Sequence, residues 1–147
     1  MKVDIGGGTI PAEGFINLDP VHGTGEWKRR IQDGIPVPDG TLDAARASHV
    51  MEHIHAGSGA GERIWVMNEV HRALKPGGTF EIIVPLLVGT WHAVADPTHV
   101  SFWVKESFHY FDGLFAANAS YGISLWETDS LDVVDGWEGH WIGRKPA

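Results

Sequence analysis

The stretch VDIGGGTIPAEGFINLDP, residues 3–20, restricts the fold more than any other part of the chain. A short apolar run enters three consecutive glycines, and a second apolar run begins at Ile16, with seven residues between it and Gly8. Two parallel strands normally need a crossover of about a dozen residues or more, usually an α-helix. Seven residues predict that the first crossover helix is missing or cut to a single turn. Gly6, Gly7 and Gly8 permit positive φ and a close approach of backbone to ligand. Asp19 closes the second run, where an acid can accept both hydrogen bonds of a ribose diol. Taken alone, Asp19-Pro20 reads equally well as a turn dipeptide.

Spacing then separates the nucleotide types. A dinucleotide fingerprint wants G-x-G-x-x-G opening a helix and an acid roughly 20 residues on. Here Thr9-Ile10-Pro11 follow the third glycine and the acid comes 11 residues after Gly8. No G-x-x-x-x-G-K-[ST] phosphate loop occurs either. A ligand with a ribose but no pyrophosphate is favoured.

The rest of the chain reads as one α/β domain spanning 1–147. Candidate strands are Lys2–Ile5, Phe15–Leu18, Leu42–Ser48, Thr79–Val84, and two late ones near Ile123–Val134 and Gly136–Gly143. A helix is expected from about Glu62 to Lys75, because Ile64, Met67, Val70 and Leu74 recur at spacings of three and four. Lys75 would complement its dipole and PGG would stop it. TFEIIVP, almost wholly apolar, suits the middle of a parallel sheet. A second helix is expected to start near Ser48, with Ser48 as cap and Glu52 completing a capping box. Five of the seven Trp lie beyond residue 90, most of them expected in the core and one or two walling a pocket.

Charge and composition exclude several classes of function. A net charge of −8, from 19 acidic and 11 basic side chains, disfavours nucleic acid as a partner. The basic cluster Lys28-Arg29-Arg30 reads as a solvated turn. With no cysteine there are no disulfides, thiolate metal ligands or cysteine nucleophile. No apolar run reaches membrane-spanning length and no leader pattern opens the chain, so a cytoplasmic protein without a membrane partner is expected.

In order and spacing, residues 2–112 resemble the class I S-adenosylmethionine-dependent methyltransferases, closest to a short branch with a GxGxxPxxGFxNxD-like opening. VDIGGG resembles their first motif, GFINLDP their second strand, and PVPDGTLDAARASHVMEHI their fourth strand and following turn. NEVHRALKPGGTFEIIVP resembles the helix, turn and fifth strand, and ADPTHVSFWVKESFHYF a segment of the same branch. The resemblance implies a reduced Rossmann-like fold of three layers, with a mostly parallel sheet ending in an antiparallel hairpin. It implies S-adenosylmethionine as cofactor, with Asp4, Gly6, Gly7 and Gly8 at its methionine and ribose end. Asp19 and Pro20 would meet the ribose, and Ser48, His49 and His53 would follow the fourth strand beside the cofactor. Related sequences carry an acid about six positions before the Pro of PVPDG. Here that position is Arg30, which leaves Asp33 as the candidate adenine contact.

Methyl transfer to a small molecule or glycan is the reading these residues favour. Ser48 and His49 are expected nearest the transferred methyl. His99, together with Asp96 and His92, lies in a loop after the fifth strand. His99 is either a general base for the acceptor or a structural histidine tying down an aromatic loop. His71, Arg72 and His109 are assigned to helices covering the site. A non-catalytic cofactor-binding module is the first alternative. The second is a zinc hydrolase, because HVMEH fits H-x-x-E-H, in which His49 and His53 four apart on a helix would share one metal; the favoured reading has no metal. An aromatic hairpin on a small sheet leaves a homodimer open.

Overall fold

The computed structural model describes all residues, 1–147. Six strands form one sheet: β1 (Lys2–Ile5), β2 (Ile16–Leu18), β3 (Leu42–Ser48), β4 (Leu74–Pro85), β5 (Glu127–Val134) and β6 (Glu138–Arg144). Their order is β2-β1-β3-β4-β6-β5. The first four pair in parallel, and β6 runs antiparallel to both β4 and β5. The mostly parallel sheet with a C-terminal antiparallel hairpin is therefore the observed fold. The one α-helix, α1, spans Arg63–Ala73, and the remaining helical pieces are 3-10 turns.

The connection from β1 to β2 contains no helix. Asp4, on β1, accepts the Ala12 N–H at 2.7 Å, which folds the connection back under the sheet. Gly7 N–H donates to Asn17 Oδ1, Asn17 Nδ2 donates back to the Gly8 carbonyl, and Gly8 N–H donates to Asp19 Oδ2. Side chains on β2 and just beyond it thus hold the glycine turn where a crossover helix would otherwise do so.

Register divides the sheet into two unlike faces. Val3 pairs with Ala45 and Ala45 with Phe80, while Ile5 pairs with Ala47 and Ala47 with Ile82, which in turn opposes Trp141. All of these belong to one buried cluster with Val66, Met67 and Val70 of α1, and with Phe108 and Trp126. Residues on the opposite face include Asp4, Arg46 and Glu81, which align across β1, β3 and β4. Arg46 Nε donates to Glu81 at 2.8 Å, and its NH1 lies 3.7 Å from Asp4. Helical cover is confined to the apolar face; the third layer amounts to the connection folded beneath Asp4.

Two helix expectations are corrected. α1 ends at Ala73 and Leu74 is already extended, so Lys75 lies in β4 and pairs with Asp43 at 2.6 Å. Besides Arg72 in its last turn, the helix end is met by Lys145, whose Nζ donates to the carbonyls of His71 and Leu74. After Ser48 no α-helix forms: Met51–His53 is a single 3-10 turn and Ser48 caps nothing. Met51 and Ile54 plug the core and Glu52 is buried between them, which fixes the turn without a helix.

Candidate functional site

Two cavities open at the carboxyl ends of the parallel strands, the usual ligand position in open α/β sheets. The first, about 190 Å³, is lined by Ile5, Gly6, Leu18, Pro20, Val50, His53 and Ile54, and by Arg30–Gln32. Gly6 sits at φ +67°, and a Cβ there would stand 2.6 Å from Val50 Cγ2. A side chain at this position would therefore displace the cavity wall as well as strain the turn. Gly7 and Gly8 spend their N–H groups on Asn17 and Asp19, so the turn is not an anion cradle.

Several expected cofactor residues take other places. Asp4 points to the polar face, where Ala12 and Arg46 meet it, and does not line the cavity. Asp33 is exposed and ion-paired with Arg30 at 3.3 Å, and it lines an adjacent cavity of about 460 Å³ that shares Arg30 and Gln32 with the first; in the first cavity itself Ile31 and Gln32 take its place. Asp19 is buried, and it accepts the N–H groups of Gly8, Val21 and His22 at 3.2, 2.8 and 2.8 Å. Burial pushes its carboxyl up, but these three backbone donors outweigh it and hold the group below the ordinary value. Its neighbour Pro20 does line the cavity. Ser48, half-buried at the end of β3, makes no side-chain hydrogen bond.

The second cavity, about 280 Å³, is lined by His49, Pro85, Trp91, His92, Ala95, Asp96, His99 and Trp137. His92 is sandwiched between two indoles, with centroids 4.2 Å from Trp91 and 3.9 Å from Trp137. Trp137 owes its place to the hairpin turn: Asp135 and Gly136 both have positive φ, and Trp137 N–H closes the turn on the Val134 carbonyl. His49 occupies the left-handed region at φ 55°, uncommon for a residue with a side chain and often found at functional positions. Its backbone still donates to the Ile83 carbonyl, so the strained residue is held by the ladder.

His49 lies between two carboxylates. Its Nε2 is 2.6 Å from Glu138, whose other oxygen is 2.6 Å from His140 Nε2, and its Nδ1 is 3.3 Å from Glu52. Glu52 raises the His49 pKa most, burial opposes this, and Glu138 adds to the rise. His49 is thus drawn towards the imidazolium form. His99 differs: its Nδ1 donates to the Ala93 carbonyl at 2.9 Å, and its Nε2 is 3.7 Å from Asp96, beyond hydrogen-bonding reach. It ties down the loop and still keeps a lone pair on Nε2. Asp96 turns Oδ1 to the Thr98 hydroxyl and N–H, and these bonds hold its carboxyl below the ordinary value.

The segment carrying Asp96 and His99 is locked onto the turn after β3. Val100 and Ser101 N–H groups donate to the Glu52 carbonyl, Ser101 Oγ donates to the Met51 carbonyl, and His53 meets Thr98. His53 and His99 stand edge to face with centroids 4.9 Å apart. His49 turns instead to Glu138 and Trp137, so the rival zinc reading, in which His49 and His53 share one metal, has no support from their positions. His71, Arg72 and His109 line neither cavity; they pair with Trp126, with Glu69 and Asp39, and with Asp112. A third cavity, about 210 Å³, lies away from the strand ends between α1 and Tyr110, Phe111 and Tyr121.

Residues 22–82 match the family model described as "Methyltransferase domain", a segment that starts just after the glycine turn and Asp19. A S-adenosylmethionine-dependent methyltransferase from Aquifex aeolicus superposes with a TM-score of 0.61 at 13% identity, over 98% of this chain and 81% of that one. This is a class I methyltransferase fold. The 1,6-didemethyltoxoflavin-N1-methyltransferase of Burkholderia thailandensis, solved with S-adenosylhomocysteine, shares the fold at TM-score 0.62 and 14% identity, covering 99% and 71% of the two chains. A 16S rRNA adenine methyltransferase from Catenulisporales acidiphilia, solved with its cosubstrate, gives 0.51 at 14% identity, over 82% and 57%. A search of curated proteins finds no match. Within this methyltransferase fold, Asn17, Glu52, Trp137 and Glu138 are the site-building residues that sequence reasoning did not assign to the site. Asn17 stands in the quoted motif, whereas Glu138 reaches His49 from 89 positions away and leaves no local signal.

Proposed function

We propose that the chain binds S-adenosylmethionine in the cavity at the ends of β1–β3 and transfers its methyl group to an acceptor held in the adjoining aromatic cavity. The observation that carries this reading is that the two cavities meet along His49–His53. His49 lines one, while Val50 and His53 line the other. Apolar walls from Ile5, Leu18, Val50 and Ile54 suit a nucleobase, and Pro20 with the neighbouring turn of Asp19 suits a ribose. Ile31 and Gln32 take the adenine-facing role first ascribed to Asp33. The cofactor supplies an already activated sulfonium methyl, so the residues need chiefly to hold an acceptor in line with it. Ser48 and His49 would border the methyl, and the free Nε2 of His99 is the lone pair best placed to act on the acceptor.

The acceptor is best read as a small molecule, or the sugar of a glycan. A volume of about 280 Å³ lies just below the range of roughly 300–1,000 Å³ usual for small-molecule pockets, and its walls are stacked rings. The net charge of −8 opposes a nucleic-acid backbone. Asp132 and Asp135 in and beside the edge strand β5 would repel each other across a strand-paired homodimer, whereas Glu127 and Asp129 are ion-paired with Arg144. No helix is long and apolar enough to cross a membrane.

Calorimetry with S-adenosylmethionine and S-adenosylhomocysteine tests the cofactor assignment; no heat and no thermal shift with either at about millimolar concentration sinks it. One observation favours a non-catalytic binding module as the second reading: the β1–β2 connection carries no crossover helix. Tight cofactor binding without turnover across a broad acceptor panel would select that reading.

A further inference from the structure

Glu52 is 2% exposed, and neither of its carboxylate oxygens has a hydrogen-bond partner. His49 Nδ1 lies 3.3 Å from one oxygen but is not aligned to bond it. Its one charged neighbour, His49, is shared with Glu138, so a buried carboxylate with no hydrogen bond of its own stays under-compensated, a state normally relieved by a further paired charge or a metal. Beside it, His53 and His99 each bring a ring nitrogen into a group whose ligand atoms all lie within 4.8 Å of one another.

The two imidazoles are prepared alike. His99 Nδ1 is 2.9 Å from the Ala93 carbonyl oxygen, and His53 Nδ1 is 3.2 Å from the Thr98 carbonyl oxygen. A carbonyl only accepts, so each Nδ1 carries the proton and each Nε2 keeps its lone pair. The Thr98 hydroxyl, which donates to Asp96, also lies 3.2 Å from His53 Nδ1 and favours the same tautomer. Metal-ligating imidazoles are usually fixed in this way, through one nitrogen to an acceptor, with the other free for the metal.

We infer that Glu52, His53 and His99 form a binding site for a first-row divalent cation, with zinc the best match. One carboxylate and two imidazoles are hard-to-borderline ligands suited to it, and three protein ligands leave a coordination position open. In a tetrahedral site with bonds of about 2.0–2.1 Å the ligand atoms stand about 3.4 Å apart. Closure therefore asks for a movement of about an ångström, which the exposed His53 can supply. The set differs from the H-x-x-E-H pattern: Glu52 becomes a ligand, and His99 replaces His49. His53 lines the first cavity and His99 the second, so the cation would stand at their boundary. When bound it takes the His99 lone pair, and His99 then no longer acts as a base.

The full-length protein, stripped with chelator and titrated with Zn²⁺ by calorimetry without cofactor or acceptor, tests this independently of the methyltransferase reading. One equivalent is expected to bind, and Co²⁺ is expected to give visible d–d absorption. Glu52→Gln and His99→Ala should each weaken Zn²⁺ binding by about tenfold or more, while His49→Ala should change it less than about threefold. His53→Asn, at an exposed position, should match the first two variants without disturbing the core. Absence of a one-to-one complex overturns the site. So does affinity that survives both Glu52→Gln and His53→Asn, or affinity that His49→Ala abolishes and His99→Ala spares.

Discussion

The two cavities at the carboxyl edge of the sheet are neighbours built on opposite plans. The one beneath β1–β3 is walled mainly by aliphatic side chains and backbone, and every donor of its glycine turn is already engaged by β2 or by Asp19 just beyond it. The other gathers three histidines, two indoles and Asp96 from the end of β3, the loop after β4 and the hairpin turn. A rigid, mostly apolar wall is suited to holding a ligand, whereas titratable side chains with free lone pairs are suited to acting on one. On the proposed reading the first cavity would bind the cofactor and the second would hold the chemistry, the two adjoining along His49–His53.

Replacing His99 by Ala should break the chemical half alone. Turnover with an accepted substrate is expected to fall by about 10² or more, while S-adenosylhomocysteine affinity stays within a few-fold. Lost cofactor affinity with preserved turnover would move His99 into the other cavity. Asp19→Ala should break the binding half by a different route. It leaves three backbone donors without their acceptor, and cofactor affinity is expected to weaken by about 1–3 kcal/mol, with a matching drop in thermal stability. An unchanged affinity would refute the ribose assignment. Because folding lowers the Asp19 pKa below the ordinary 3.8, its stabilisation is complete above that value. It is lost as pH falls through the depressed value, and acid unfolding curves of the parent and Asp19→Asn should converge there.

Smaller effects sharpen the same division. Trp137→Ala removes one of the rings stacked on His92, and should raise KM for the acceptor by about two- to tenfold with little change in cofactor binding. The smallest concerns His49. Nuclear magnetic resonance titration should place its midpoint above the ordinary 6.5, and Glu138→Gln should bring it down. A raised value means that folding favours the protonated ring. Its contribution to stability is therefore complete below 6.5 and fades as pH rises through the folded value. A midpoint below 6.5 would show that burial outweighs both carboxylates.

The β1–β2 connection was the more legible in sequence, for a physical reason. Gly6–Gly8 and Asp19 are near neighbours in the chain, and seven residues between strands forbid a helix whatever the tertiary context. β1 and β3 were placed to the residue, since short apolar runs bounded by turns leave little choice. Reading the direction of a side chain failed where register decides it. Asp4 alternates with Val3 and Ile5, so it must face away from the cavity that Ile5 lines. The helix expected after Ser48 failed because tertiary burial of Met51, Glu52 and Ile54 sets that turn, over the pull of a capping pattern. The chemical half depends on contacts such as His49 with Glu138 and Glu52 with Val100, which join distant parts of the chain and have no local signature.

The most direct test is to follow backbone amide and indole N–H shifts while S-adenosylhomocysteine is added to the isotope-labelled protein. The division predicts saturable shifts concentrated at Gly6, Ile31, Gln32, Val50 and His53, with the indole of Trp91 nearly unmoved. Shifts centred on Arg63, Tyr110 and Tyr121 around the third cavity, or on Trp91 and His92, would contradict it.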